Sequence, residues 1–581
     1  YAMSALTRPW PGYEYRGLAR TASGADFATL LLQVPDGFDY QRACIVTAPS
    51  SGSRGIHGAI GTTAPWAFSR GCVVAYTDKG TGTGAWELSR RIGWSADFSR
   101  CTDCSAGAAA FSAPADQAHR VFGARWPHRF AFRHAHSMRN PESTWGREVL
   151  RAIAFALHVL NRDRQLLGGP DSPRLDADNT LVIAAGVSNG GGAVLRAAEQ
   201  DFHGWIDGVV ASEPNVLPAP DPPAIRSGDT EWRDVGRSLL DYATLHGVWQ
   251  PCAVLALDRA ATPALNAAGL DHDASARRCR GLRKLGLVAT DDRALQAQEA
   301  LAQLRSAGIL EQADSLAIAN VQAGLWPAIS ATYANAYGRF SAAEHLCNVS
   351  FAARGASGQV MPLDERALAA LPALSSGIPP TAGVQLIHDR LPGDIEADSD
   401  ESLRAALCWR NLLASQPVAA DPAHVDHAAR QRVQAGIEEV RSTAASAVPI
   451  IIIHGRADAL IPVNHNSRAY VGLDLVRRGS DSQLRYYEIE HGQHFDAWLG
   501  LPEFAAHFVP MQVYFERALD LMFSHLTAGA ELPASHVVRT RPRGRQAGIV
   551  PELDGLHVPD LQDYAERDLI RMDGDTLLIP D

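Results

Sequence analysis

The chain has 581 residues, more than one hydrophobic core usually holds, so we expect a core domain with at least one further packed unit. Hydrophobic residues make up 46% and charged residues 20%, which excludes an intrinsically disordered chain. A formal net charge of −11 disfavours nucleic acid and anionic membranes as partners, and no apolar run approaches the roughly 20 residues that cross a bilayer.

The first 213 residues have the pattern of an α/β core. Apolar, β-branched runs at 43–49 (ACIVTAP), 71–78 (GCVVAYTD) and 180–186 (TLVIAAG) predict strands that are buried on both faces, as in a parallel sheet. Between the last two, apolar residues recur at helical spacing over 144–161 and predict a crossover helix. We therefore expect an α/β fold with a mostly parallel sheet and helices on both faces.

A different composition begins near residue 214. Residues 214–440 open with a Pro-rich stretch and continue with Ala- and Leu-rich patterns of helical spacing, for example at 291–309 (DDRALQAQEALAQLRSAGI). Because the insertion leaves and re-enters the sheet at the edge where α/β active sites lie, we predict a mostly helical lid over that edge.

The core pattern resumes after the insertion. Runs at 448–455 (VPIIIIHG) and 483–490 (QLRYYEIE) predict two further strands, within a second core segment over 441–530. Residues 531–581 are rich in Pro, Gly and Arg and show little periodicity, so we expect an extended tail that packs on the core.

The cysteines form an even set that could pair in an oxidising compartment: Cys44, Cys72, Cys101, Cys104, Cys252, Cys279, Cys347 and Cys408. The sequence does not fix their pairing. Cys101 and Cys104 (CTDC) have neither a second C-x-x-C nor a Cys/His pair at zinc-like spacing, so a loop disulfide or free thiols are favoured over a metal site.

A possible nucleophile lies at the end of the third predicted strand. Gly186-Val187-Ser188-Asn189-Gly190 is a G-x-S-x-G motif between that strand and a helical pattern. At such a tight turn only small residues fit two positions either side of the serine, and the turn pushes its Oγ out above the sheet. Gly/Ser-rich turns are common, but this context favours Ser188 as nucleophile and the backbone N–H of Asn189 as an oxyanion donor.

A serine nucleophile requires a base and an orienting acid, in the chain order Ser, Asp, His. Asp458 follows the strand at 448–455 in HGRAD and is our candidate acid; the alternative is an aspartate that caps the next helix. The segment EHGQHFDAWLG offers two histidines. We choose His494 because it lies in the loop beyond the strand, whereas His491 is closer to the strand end and suits a structural role.

Two further motifs concern the pocket. The loop TAPSSGSRG (47–55) is where a second oxyanion donor is expected, and Ser51 or Gly52 is our candidate. His134 and His136 (HAH) lack an identifiable third ligand, so they are candidates for the pocket wall or a helix entry instead of a metal site. No metal or organic cofactor is needed for the chemistry that these motifs predict.

Five segments carry a family resemblance over nearly the whole chain, in this order: TAPSSGSRGIHGAIG, GCVVAYTDKGTGTG, FAFRHAHSMRNPESTWG, GVSNGGGAVLRAAE and HGQHFDAW. With them the chain resembles the D-(-)-3-hydroxybutyrate oligomer hydrolases, which are linked to the tannase and feruloyl esterase group of α/β-hydrolases. The resemblance implies the α/β-hydrolase fold, with Ser188 as nucleophile and His494 as base. Asp458 rests more on the general hydrolase pattern HG-x-x-D.

The resemblance also implies an activity: soluble 3-hydroxybutyrate oligomers would be hydrolysed to monomers, downstream of a polymer depolymerase. The resemblance implies that, in tannase-like relatives, two disulfide-bonded cysteines directly precede the catalytic Ser and the catalytic His. In this chain the residues directly before Ser188 and His494 are Val187 and Gln493, and this difference disfavours a tannase-type activity. The alternatives are a feruloyl- or tannase-like aromatic esterase and an inactive hydrolase-fold binding protein.

The implied substrate suggests two further site residues and a location. An oligomer ends in one carboxylate, and Lys79 and Arg54, in loops past early strands, are candidate cations for it; the alternative for each is a solvated loop charge. No signal peptide is recognisable at Tyr1. The resemblance nevertheless implies a secreted or periplasmic protein, with a cytoplasmic one as the alternative. The oligomeric state is open.

Overall fold

The computed structural model describes residues 9–581 except 21–26, 96–98, 103–108, 259–268, 356–357, 375, 390–399, 416–417, 419–425 and 445–446. Its strands are, in chain order, β1 Gly12–Arg20, β2 Phe27–Pro35, β3 Cys44–Pro49, β4 Val73–Thr77, β5 Ala85–Glu87, β6 Ile92–Trp94, β7 Arg100–Thr102, β8 Phe130–Phe132, β9 Leu181–Val187, β10 Gly208–Ser212, β11 Leu217–Pro218, β12 Ala224–Ser227, β13 Thr230–Trp232, β14 Val349–Arg354, β15 Val360–Met361, β16 Val384–His388, β17 Arg441–Ser442, β18 Ile450–Gly455, β19 Leu484–Ile489, β20 His536–Val538, β21 Arg571–Asp573 and β22 Thr576–Ile579.

The α-helices of the described residues are α1 Ile60–Ser69, α2 Gln117–Arg125, α3 Arg133–His136, α4 Trp145–Arg162, α5 Arg164–Gly168, α6 Asn189–Glu199, α7 Leu239–Ala253, α8 His272–Lys284, α9 Arg293–Ser306, α10 Ala317–Gln322, α11 Leu325–Gly338, α12 Glu365–Ala373, α13 Glu401–Asn411, α14 His427–Glu438, α15 Ser467–Arg478, α16 Pro502–His507 and α17 Met511–Ala528. Helix α4 is the crossover helix that the sequence predicts over 144–161. None of the helices in this part of the chain is both long enough and apolar enough to cross a membrane.

The main sheet has the strand order β1-β2-β4-β3-β9-β10-β18-β19-β20. Strands β1, β2 and β4 pair antiparallel, whereas every pair from β4 to β20 is parallel. The five strands predicted from apolar runs, β3, β4, β9, β18 and β19, all lie in the parallel part. Their carboxyl ends therefore meet at one edge of the sheet, which is where ligands bind in such folds.

Helices cover both faces of this sheet. On one face α4, α6 and α15 bury apolar side chains such as Val149, Val194 and Val471 against the strands. On the other face α1 and α17 bury Trp66 and Phe515. Strands buried on both faces need apolar residues at nearly every position, and this explains the unbroken apolar runs in the sequence.

A second sheet lies outside this core and joins two distant segments of the chain. Its order is β15-β14-β8-β5-β6-β7, with β16 also paired to β14. Strands β5 to β8 belong to the first 213 residues, which the sequence analysis assigned to the core. They pair instead with strands of the insertion, through Phe351 opposite Phe130. The physical reason is that these short apolar segments bury Phe130, Phe132 and Phe351 together, away from the main sheet.

The insertion over 214–440 supplies helices α7 to α14 and also strands β11 to β16. Helices α7 and α11 are buried nearly all round, so the insertion has an apolar core of its own. In the tail over 531–581, β20 extends the main sheet, and β22 pairs with β12 and β21 in a small separate sheet.

Three disulfides join Cys44 to Cys72, Cys252 to Cys279, and Cys347 to Cys408. The first ties β3 to the start of β4, and the other two lie in the insertion. Cys101 is disulfide-bonded as well, while Cys104 lies outside the described residues. Every cysteine that the structure describes is therefore disulfide-bonded.

Candidate active site

Ser188 stands at a tight turn between β9 and α6. Its backbone has φ 60° and ψ −124°, a conformation that is strained for any residue other than glycine. A Cβ on Gly186 would lie 2.4 Å from the carbonyl oxygen of Gly190, and one on Gly190 would lie 2.6 Å from the carbonyl oxygen of Pro49. The G-x-S-x-G spacing therefore has a steric origin, and the turn presents Ser188 to a cavity at the carboxyl edge of the sheet.

The structure brings together the three residues that the sequence predicts as nucleophile, base and acid. His494 Nε2 lies 3.1 Å from Ser188 Oγ, and His494 Nδ1 lies 2.7 Å from Asp458 Oδ2. The side chains of Asp458 and His494 are almost completely buried. A continuous hydrogen-bonded chain thus runs from hydroxyl to imidazole to carboxylate, the geometry that activates a serine.

Asp458 is held as an anion. Its Oδ1 accepts hydrogen bonds from the backbone N–H groups of Leu460 and Ile461, both at 2.8 Å. A second histidine, His454, contacts Oδ2 at 3.2 Å. Burial alone would raise the pKa of Asp458, but the charge of His494 and the hydrogen bonds from both histidines outweigh it and hold that pKa well below its ordinary value. Asp458 therefore suits a carboxylate that orients the base.

His491 lies apart from this chain of hydrogen bonds. Its Nδ1 contacts Thr540 Oγ1 at 2.9 Å, and its backbone N–H donates to the same oxygen. The histidine is thus engaged with the tail through Thr540.

Gln493, between the two histidines, ties the base loop to the acid loop. Its Oε1 accepts from the backbone N–H of Ala459 at 3.0 Å and of His494 at 2.7 Å. Its Nε2 donates to the carbonyl oxygen of Ala457 at 2.6 Å. A buried amide therefore links the two loops at position 493, where the tannase-like pattern has a cysteine.

The candidate oxyanion hole lies between two loops. Asn189 opens helix α6, and the first N–H groups of a helix have no intrahelical acceptor, so its N–H is available to a ligand. Across the cavity the 47–55 loop supplies Gly52, Ser53 and Arg54 to the wall, and Ser51 immediately precedes them. Of the predicted donors, Asn189 and Gly52 face the same cavity as Ser188.

Lys79 occupies a position that differs from the expected one. Its side chain is fully buried, and Nζ donates to the carbonyl oxygens of Ser50 and Gly52 and, at 2.7 Å, to Ser50 Oγ. Burial lowers the pKa of this ammonium to about 7. Because the N–H groups of its ammonium donate to the 47–55 loop, Lys79 supports that loop from beneath and does not contribute to the cavity wall.

The two histidines of the HAH motif also separate. His134 is buried, and its Nδ1 lies 2.5 Å from Ser53 Oγ, next to the cavity. His136 is buried too, but its Nδ1 accepts from the backbone N–H of Phe132 at 3.1 Å and its ring contacts Phe351. His136 therefore holds the second sheet and, unlike His134, has no contact with the oxyanion loop.

The cavity around Ser188 has a volume of about 320 Å³ and a mostly apolar wall. The insertion contributes Leu239, Leu325 and Ile329, and the base loop contributes Phe495 and Trp498. Arg54 is the candidate cation among the residues that line this cavity, and it is solvent-exposed. Such a cavity suits an apolar ligand, and Arg54 adds a positive charge to its wall.

A larger cavity of about 1040 Å³ adjoins the first one. The two share Asn320, Ala323, Ala328 and Pro380 in their walls, so they meet at the turn between α10 and α11. The larger cavity is lined by residues of the second sheet and of the insertion. It offers room for a longer ligand than the space at Ser188 would hold.

Sequence reasoning missed several residues at this site. Glu213, at the end of β10, is buried, and its burial together with the charges of Asp458 and Asp496 raises its pKa well above the ordinary value. Its place after a parallel strand could have identified it. Tyr333, whose hydroxyl accepts from Asn189 Nδ2 at 2.8 Å, belongs to the insertion, where no motif marks it.

The sequence of residues 8–581 matches the family model described as 3HB-oligomer hydrolase (3HBOH). The D-(-)-3-hydroxybutyrate oligomer hydrolase of Burkholderia thailandensis is 40% identical over 585 residues, which cover 98% of this chain and 81% of that protein. The enzyme of the same name from Paracidovorax citrulli is 41% identical, with 98% and 82% covered.

Two solved structures are similar to this chain at low sequence identity. Feruloyl esterase B from Aspergillus oryzae gives a TM-score of 0.37 with 12% identity and covers 93% of this chain and 84% of its own. Tannin acyl hydrolase from Aspergillus niger gives a TM-score of 0.35 with 13% identity, with 90% and 79% covered. The sequence relationship over nearly the whole chain is the stronger of the two kinds of likeness.

Proposed function

Since this chain belongs to the 3HB-oligomer hydrolase family, we propose that it is a serine esterase that hydrolyses 3-hydroxybutyrate oligomers to monomers through an acyl-enzyme. The observation that carries the mechanism is the hydrogen-bonded chain from Ser188 Oγ through His494 to Asp458. The apolar cavity around Ser188, with Arg54 in its wall, supports an aliphatic ester with a terminal carboxylate as the substrate.

In the first half-reaction His494 Nε2 removes the proton of Ser188, whose Oγ forms a bond to the ester carbonyl carbon. The carbonyl oxygen gains the negative charge and accepts from the N–H groups of Asn189 and of the 47–55 loop. Collapse breaks the bond to the alkoxy oxygen, which takes the proton back from His494. Asp458 stabilises the imidazolium between these steps.

In the second half-reaction water replaces the released alcohol. His494 removes a proton from water, the hydroxide adds to the acyl carbon, and the bond to Ser188 Oγ breaks as His494 returns the proton. The products are one carboxylic acid and one alcohol, so each cycle shortens the oligomer at one ester bond. An enzyme of this kind would act downstream of a depolymerase, and the disulfides support an oxidising compartment such as the periplasm or the cell exterior.

The deciding experiment is product analysis of a defined 3-hydroxybutyrate trimer incubated with the protein, together with labelling by a fluorophosphonate. We expect monomer to accumulate and the probe to modify Ser188. A feruloyl or galloyl ester that is cleaved much faster than the trimer would contradict the proposed substrate. Trimer hydrolysis that persists after complete labelling of Ser188 would contradict the mechanism.

A further inference from the structure

Ser53 is a serine in the wall of the Ser188 cavity to which the proposed mechanism gives no role. It lies in the 47–55 loop, directly after the candidate donor Gly52; it is buried, and it lines the cavity. Its Oγ lies 2.5 Å from Nδ1 of His134. No other side-chain hydrogen bond of Ser53 occurs among the described residues.

The direction of this hydrogen bond follows from the other ring nitrogen. Nε2 of His134 is buried and has no hydrogen-bond partner within the described part of the chain. Burial, together with the nearby charge of Lys79, lowers the pKa of His134 to about 3, so the ring is neutral and carries a single proton. A proton on Nε2 would leave a buried N–H without an acceptor, which is rare and costly.

The favoured tautomer therefore has its proton on Nδ1 and donates to Ser53 Oγ. A hydroxyl has one hydrogen and two lone pairs, so Ser53 still has its own hydrogen to donate. That hydrogen cannot point back at the Nδ1–H group. The open direction is the cavity that Ser53 shares with Ser188 and Asn189.

We propose that Ser53 is a catalytic residue that donates a hydrogen bond from its hydroxyl to the ester carbonyl oxygen as negative charge develops there, and that His134 is the positioning residue that orients it. The inference rests on the proposed function, because it requires a substrate ester at Ser188. It adds a side-chain donor to the backbone N–H groups of the oxyanion hole.

The surroundings of His134 hold this donor in place. The His134 ring packs edge-on against Tyr333 at 4.9 Å between ring centroids. The Tyr333 hydroxyl in turn accepts from Nδ2 of Asn189, which supplies the other side of the oxyanion hole. One buried network therefore connects the Ser53 side of the oxyanion hole with the Asn189 side. Such preorganisation lets the donors act without a free-energy cost of reorientation during the reaction.

The test compares Ser53→Ala with Ser53→Thr, which keeps a hydroxyl, on 4-nitrophenyl butyrate and on the 3-hydroxybutyrate dimer. We expect Ser53→Ala to lower kcat roughly 100-fold on both esters, the usual loss for one oxyanion donor, with KM changed less than about 3-fold. Ser53→Thr should recover most of kcat. Inhibition by butaneboronic acid, a tetrahedral mimic, should weaken in step with kcat in Ser53→Ala.

His134→Phe, which keeps the packing on Tyr333, should show the same loss of kcat with unchanged KM. Ser143→Ala is the matched control and should equal the wild type, because Ser143 lies outside the cavity and its Oγ donates to the carbonyl oxygen of Asn140.

Wild-type protein that cleaves neither ester would contradict the proposed function itself. An active wild type with kcat of Ser53→Ala within 3-fold, or with Ser53→Thr as impaired as Ser53→Ala, would overturn the role of the Ser53 hydroxyl. A fully active His134→Phe would overturn the positioning role.

Discussion

Gly455 and Gly492 touch backbone to backbone: a Cβ on Gly455 would lie 2.4 Å from the carbonyl oxygen of Gly492. The N–H of Ala457 donates to that same oxygen at 3.1 Å. The contact joins the end of β18 to the loop after β19. Asp458 follows the first glycine and His494 the second, so the distance between acid and base depends on how closely these two backbones approach.

Gly455→Ala should therefore impair catalysis by moving the two loops apart. We expect kcat to fall at least about 10-fold and the free energy of unfolding to fall by about 1–3 kcal/mol, the usual cost of overpacking. Steady-state kinetics and urea unfolding give the two quantities. Gly500→Ala is the control, because a Cβ there meets no atom within 4 Å. Unchanged kinetics of Gly455→Ala would show that the contact does not set the geometry of acid and base.

Ser188→Ala, His494→Ala and Asp458→Asn should each lower kcat by roughly 10³-fold or more while the far-ultraviolet circular dichroism stays that of the wild type, since triad members act as one unit. His491→Ala should be far milder because that ring hydrogen-bonds Thr540. The reverse result, with His491 essential and His494 dispensable, would show that the base has been assigned to the wrong histidine.

The parallel sheet and the grouping of Ser188, His494 and Asp458 were predictable because their signals are local. An apolar run marks a strand buried on both faces, and the steric demands of the Ser188 turn leave a motif in the sequence. The second sheet was not predictable, because Phe130 and Phe351 pair across more than 200 residues and neither segment carries a distinctive pattern. The role of Lys79 was missed for a similar reason. A loop lysine is usually solvated, and its burial results from tertiary packing alone.

Lys79→Met and Arg54→Met should differ in which substrates they affect. Lys79 donates to the 47–55 loop, so its loss should lower kcat on 4-nitrophenyl butyrate and on the 3-hydroxybutyrate dimer to a similar degree. Arg54 lines the cavity, so its loss should lower kcat/KM for the charged dimer about 10-fold, the order expected for one hydrogen bond to a charged group, and spare the neutral ester. A loss confined to the dimer in Lys79→Met would restore that lysine as the carboxylate-binding residue.

We expect Glu142 to make the stability of the protein depend on pH. The carboxyl accepts from the Tyr337 hydroxyl at 2.7 Å, and burial raises its pKa from 4.5 to about 7. The unfolded chain loses this proton near pH 4.5 and the folded chain near pH 7, so this group lowers stability as the pH rises across that window. Glu142→Gln should match the wild type near pH 4 and exceed it above pH 7 by on the order of 3 kcal/mol.

Urea unfolding at several pH values measures this difference, with Glu552→Gln at an exposed glutamate as the control. A stability difference between Glu142→Gln and the wild type that stays constant from pH 4 to pH 8 would contradict the raised pKa.

The junction of the two cavities should determine how well long oligomers are cleaved. Removing the insertion is a poor test, because β14 to β16 are part of the second sheet and their loss would expose its apolar residues. Ala323 is the better target: it lines both cavities, and it is exposed at the end of α10, where a large side chain fits without burial. In Ala323→Trp the indole narrows the passage between the space at Ser188 and the larger cavity. We expect kcat/KM for a 3-hydroxybutyrate tetramer to fall roughly 10-fold relative to the dimer, because remote binding energy is lost while the reacting centre is untouched.

Hydrolysis of 4-nitrophenyl acetate, which needs none of the larger cavity, should be unchanged, and Ala323→Ser should behave as the wild type on all three substrates. If Ala323→Trp slows dimer and tetramer equally, the longer oligomer leaves the site by another route and the larger cavity has no part in binding it.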